Sequence, residues 1–142
     1  MRLLRRARRN VIRGRFQKTL SALTAVSAAG LGFEIYLEHY KGSFGDKWMW
    51  TPIALTPPLT AAGVAGVFSE KHARTTLPMV SALYALDGVI GVVTHIRGVA
   101  RRPGGFSEPT YNLVMGPPLL APGSLALVGG MGLVAALARR EK

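Results

Sequence analysis

A chain of 142 residues that is 49% hydrophobic and carries a formal net charge of +11 keeps its apolar and basic residues in separate blocks. That segregation excludes an ordinary basic soluble domain, and an aromatic content of 8% offers no interleaved basic and aromatic surface for nucleic acid. The absence of Cys excludes disulfides, thiolate metal sites and a cysteine nucleophile.

Residues 1–18, beginning "MRLLRRARRNVIRGRF", form a basic segment ahead of an apolar run. It is read as a retained anchor on anionic headgroups rather than a cleaved signal peptide. Four stretches then match the roughly 20 residues that cross a bilayer: 19–37, 48–68, 77–96 and 111–138. The expected fold is an all-α integral membrane protein, one membrane domain made of hairpin 1 (19–68) and hairpin 2 (77–138). Arg and Lys number thirteen in the N-terminal segment, the 69–75 loop and the C-terminus, against five in the alternate loops (Lys41, Lys47, Arg97, Arg101, Arg102). The positive-inside rule therefore predicts both termini in the cytoplasm and a cell (inner) membrane location. Tyr40, Trp48 and Trp50 then fall at the outer interface.

A shift of sixty residues superposes the chain on itself in blocks. Ser21-Ala22-Leu23 with Ala25 falls on Ser81-Ala82-Leu83 with Ala85, and Pro57-Pro58-Leu59 falls on Pro117-Pro118-Leu119. Two-span units of this kind predict parallel repeats about an axis along the membrane normal. Proline removes a helical donor, so the prolines predict a kinked or extended start to spans two and four, with regular helix after Pro58 and Pro118. Too few apolar residues follow Pro58 to cross alone, so span two must include the part before its kink. Ser21, Ala25 and Ala29 on span one, with Ser81 and Ala85 on span three, are the expected close-packing positions.

Ionisable groups within spans are candidates for function. Asp87 lies near the middle of span three, with Ser27 or Thr24 across the repeat axis as expected hydroxyl partners. Glu34 and Glu38 stand four apart near the outer end of span one, with His39 beside them, and His95 lies at a similar depth on span three. Two neutral imidazoles on different spans suit a bis-histidine haem; a quinone, or a carboxylate–imidazole metal site, are the alternatives there. His72, in "SEKHAR", has no evident partner, and Arg101 and Arg102 are expected near Glu108 or Asp46 or facing acidic lipid or an acidic partner surface. Phosphate-loop, nucleophile-elbow, zinc-protease and dinucleotide signatures are absent. The leading expectation is a non-catalytic subunit packed against other integral membrane proteins. The alternatives are an electron-transfer subunit using His39 and His95, and a proton, ion or solute pathway centred on Asp87.

Overall fold

The computed structural model describes residues 1–142, with the side chain of Arg2 left out of the description. Helices α1 (Arg2–Ile12), α2 (Gln17–Lys41), α3 (Thr51–Phe68), α4 (Glu70–Arg74), α5 (Thr76–Ala100), α6 (Pro109–Met115) and α7 (Leu120–Leu137) follow in order, and no strand forms among the described residues. Four helical segments are long and apolar enough to cross a membrane: Gln17–Lys41, Lys47–Phe68, Glu70–Ala100 and Leu120–Leu137. The 25 residues of α2 extend about 37 Å at 1.5 Å per residue, enough for a hydrocarbon layer of about 30 Å. This is the architecture of a multi-pass membrane protein.

Helix α2 packs along α3, and α5 along α7; the pairs join through α2 with α7 and α3 with α5. The bundle is therefore square in section, with α2 and α5 on one diagonal and α3 and α7 on the other. Small residues set the spacing within each hairpin. A Cβ added at Gly63 would lie 2.8 Å from the Ser21 carbonyl oxygen and 2.9 Å from Ala25, and one at Gly66 would meet Ser21 Oγ at 2.9 Å. In the second hairpin, a Cβ at Gly129 would lie 2.6 Å from the Ser81 carbonyl oxygen, and Gly132 faces Ser81 Oγ. Buried Tyr84, Leu59, Leu77, Ala28, Ala62, Leu125 and Ala135 fill the centre.

These contacts sort the expected packing residues. Ser21, Ala25, Ser81 and Ala85 lie at helix contacts, whereas Ala29 faces outward and Ala28 is buried in its stead. A four-residue step turns 400°, so each step drifts about 40° from the contact line. Two steps carry Ala29 out of the interface, while the seven-residue step to Ala28 nearly closes two turns.

Most prolines sit where a helix has no donor to lose. Pro52, Pro78, Pro109 and Pro122 all fall in the first turns of α3, α5, α6 and α7. Pro117 and Pro118 occupy the break between α6 and α7, so regular helix resumes at Leu120. Pro57 and Pro58 lie inside α3, which begins at Thr51 and continues through both, so this span does include the residues before its prolines. Their exposed rings leave the carbonyls of Ile53 and Ala54 without their usual donors, and flanking helical turns carry the segment across. In packing terms Gly63 and Gly66 match Gly129 and Gly132, an offset of 66 rather than the 60 that aligns the two proline pairs.

The C-terminal tail closes the end of the bundle that bears both termini. Arg140 donates to Gln17 Oε1 (3.0 Å) and to the carbonyls of Gly66 (3.0 Å) and Val67 (2.7 Å), the last turn of α3. Glu141 accepts from the backbone amides of Lys18 (2.6 Å) and Thr19 (2.9 Å) in the first turn of α2. The Arg139 carbonyl accepts from the amides of Phe16 and Gln17, and Arg74 donates to Ala136 O at the end of α7. Anion at a helix start and cation at a helix end both oppose the helix dipole. Two of the charges counted as topology signals, Arg74 and Arg140, are thus bound into the fold.

Glu141 makes this clasp acid-sensitive. Burial raises its carboxyl, but the amides of Thr19 and Lys18 outweigh it and hold the group below its ordinary value of 4.5. A depressed folded value means that its contribution is complete above the ordinary value and disappears as pH falls through the lowered one. Melting in detergent at pH 7 and pH 3 is expected to show a smaller acid-induced drop for Glu141→Gln than for the parent.

Candidate functional site

At the opposite end of the bundle, α2 ends in a tight turn. Its Gly42 is followed by Ser43 (φ 55°) and Phe44 (φ 47°), two non-glycine residues in the left-handed region. Phe44 is held there by stacking on Trp50, with ring centroids 4.1 Å apart, and by Tyr36 and the edge of His39. Strain of this kind persists only where surroundings over-determine it, and it collects at sites.

The turn borders a pocket of about 200 Å3 lined by Ile35, Glu38, His39, Gly42, Met49, His95, Pro117, Pro118 and Ala121. The two histidines singled out from sequence, on non-adjacent helices, therefore share one cavity. The break before α7 makes this geometry: Pro117 and Pro118 place the chain across the mouth, and His95 Nδ1 lies 2.7 Å from the Pro118 carbonyl oxygen. The helical partner of that carbonyl would be residue 122, a proline with no N–H. His39 Nδ1 lies 2.7 Å from the Met49 carbonyl oxygen. Met49 sits in the 3-10 turn Lys47–Trp50, where the i+3 partner is Pro52. Both imidazoles thus complete carbonyls that proline leaves unserved.

Glu38, also at this pocket, forms an ion pair with Lys41. Glu34 does not join it: it projects outward from α2, with no hydrogen bond or ion pair among the described residues. Among the described residues no three His, Cys, Asp or Glu side chains are placed to hold a metal ion.

Asp87 lies elsewhere, in an open groove of about 340 Å3 between α3 and α5 lined by Thr51, Ala54, Leu55, Leu83, Leu86 and Ile90. The Thr51 hydroxyl donates to its Oδ1 at 2.6 Å. Ser27 and Thr24 are not its partners, because α2 stands diagonally across the bundle; Thr24 donates instead to the Leu20 carbonyl. Nearby Tyr84 is fully buried with its hydroxyl 3.4 Å from Thr56 Oγ1.

Two further expectations are corrected. His72 does have a partner, Thr76 Oγ1 at 3.1 Å from its Nδ1. Arg102 donates to Asn112 Oδ1 (3.1 Å), and the Nδ2 of the same amide donates to the carbonyls of Pro103 and Gly105. Neither Glu108 nor Asp46 pairs with an arginine among the described residues. The buried amide meets the loop carbonyls better than a carboxylate, since it supplies donors as well as an acceptor.

Fold and site together define a small helical bundle, with four segments long and apolar enough to cross a membrane and a pocket lined by His39 and His95 at the end away from its termini. Comparison with family models, with curated proteins and with solved structures gave no match.

Proposed function

We propose that the protein is a small, non-catalytic integral membrane subunit that packs against a larger membrane protein through the outward face of α2. Glu34 carries this reading. It projects from an apolar face made of Leu23, Val26, Phe33 and Leu37, all exposed. An ionised side chain facing lipid costs about 2.5–3.5 kcal/mol at the centre of a span and less toward the outer end where Glu34 stands, and a donor on a neighbouring protein removes that cost. Gly30 lies one turn away on the same face, with nothing within 4 Å of an added Cβ, so another helix has room to approach closely.

Helix α1 supports a second contact, with lipid. Leu3, Leu4, Ala7 and Val11 share one face, and Arg5, Arg6 and Arg9 the other. A short basic amphipathic helix of this pattern lies in the headgroup layer of an anionic leaflet. With the charge bias of the loops, it supports both termini facing the cytoplasm from the inner membrane. The paired glycine contacts and the sequence self-match support two hairpins arisen by duplication, related by the bundle axis.

The test is co-purification. Gly30→Leu and Glu34→Gln are each expected to release partner proteins during gentle detergent extraction while leaving the chain's own melting temperature within a few degrees of the parent. Partners that stay bound to both variants would remove α2 as the contact.

A further inference from the structure

His39 and His95 present more than two side chains near each other. A carbonyl oxygen only accepts hydrogen bonds, so the 2.7 Å contacts to Met49 O and Pro118 O place the proton of each neutral ring on Nδ1. Nε2 is then a bare lone pair on both rings, with no hydrogen-bond partner among the described residues. The backbone fixes this tautomer itself, because proline has removed the competing amides. The imidazoles therefore offer the pocket two acceptors and no donor.

The other walls are Ile35, Gly42, Met49, Pro117, Pro118 and Ala121, with the Glu38 carboxylate, a further acceptor, as the remaining polar group. An occupant must be flat or small and largely apolar, and must bring its own donors. A cavity of about 200 Å3 lies below the roughly 300–1,000 Å3 of sites that enclose large organic ligands, which disfavours a haem. Metal coordination would need more ligands than the two rings supply, and Glu38 is engaged by Lys41. A single ring bearing two hydroxyls satisfies every requirement. Its oxidised counterpart brings only carbonyl acceptors to face two more acceptors, leaving all of them unpaired.

We propose that the pocket between His39 and His95 binds the headgroup of a lipid-soluble dihydroxyaromatic of the quinol class, with each Nε2 accepting a hydrogen bond from one hydroxyl. The site is independent of the α2 contact proposed above.

Asn at a histidine position retains a donor where Nδ1 stood but removes Nε2, so His39→Asn and His95→Asn preserve the carbonyl contacts while deleting the acceptor. The full chain in phospholipid nanodiscs is titrated by calorimetry with a short-tailed benzoquinol kept reduced, and separately with the matching benzoquinone. The quinol is expected to bind at least tenfold more tightly than the quinone, and each Asn variant to lose at least tenfold in quinol affinity with an unchanged melting temperature. Equal affinity for the two forms, or quinol affinity unaltered in both variants, overturns the proposal. So does haemin uptake with a Soret band that both variants abolish.

Discussion

Gly129→Ala is expected to destabilise the bundle by about 2 kcal/mol or more, whereas Gly130→Ala, one residue along, is expected to leave it unchanged or slightly firmer. The added methyl at 129 would stand 2.6 Å from both the Ala85 amide nitrogen and the Ser81 carbonyl oxygen. Those are backbone atoms of a packed helix, so neither can turn aside, and α5 and α7 must separate. At 130 nothing lies within 4 Å, and the only change is a better helix former. Gly88→Ala repeats the first case from the facing helix, where the added methyl would meet the Ala126 amide nitrogen and stand 2.7 Å from the Pro122 carbonyl. Detergent-denaturation midpoints of the three variants read the difference directly. Similar midpoints for positions 129 and 130 would mean that α5 and α7 do not meet as described.

Arg140→Ala is expected to cost about 2–4 kcal/mol, since the guanidinium makes three charge-assisted hydrogen bonds, each worth roughly 1.5–3 kcal/mol and partly overlapping. Removing it leaves the Gly66 and Val67 carbonyls and the fully buried Gln17 side chain without that donor. Arg140→Lys is expected to recover less than half, because an ammonium lacks the planar fork that reaches α3 and Gln17 together. Amide exchange would localise the effect to the last turn of α3 and the first of α2. Wild-type stability in Arg140→Ala would show that the tail only rests against the bundle.

The contrast between these two effects follows what a linear sequence carries. Apolar runs of span length announce α2, α3, α5 and α7, and the four-residue spacing from Ser21 to Ala25 and Ser81 to Ala85 announces their contacts. The same spacing misplaces Ala29, because 3.6 residues per turn accumulates a drift that only a neighbouring helix makes visible. The clasp was not legible. Arg140 and Gln17 are 123 residues apart, and charge counting treats every basic residue as a topology signal. The histidines stood out by residue type and depth, but the carbonyls that orient them did not. Those follow from prolines at 52 and 122, each one turn beyond its orphaned acceptor. Asp87 could be flagged as a costly intramembrane acid, yet its Thr51 partner depends on which helices are adjacent. Pro57 and Pro58 show that a local breaker signal is weighed against span length, since the residues after Pro58 are too few to cross alone and the helix runs through both.

The proposed role as a packed membrane subunit is tested most directly by its size in native membranes. The chain is extracted in mild detergent, run on a native gel, and its band is identified with the proteins that accompany it. Migration far above its own 15.2 kDa, with partners that leave in Gly30→Leu and Glu34→Gln, is the predicted result. A band running as the lone chain, identical in parent and variants, would contradict it.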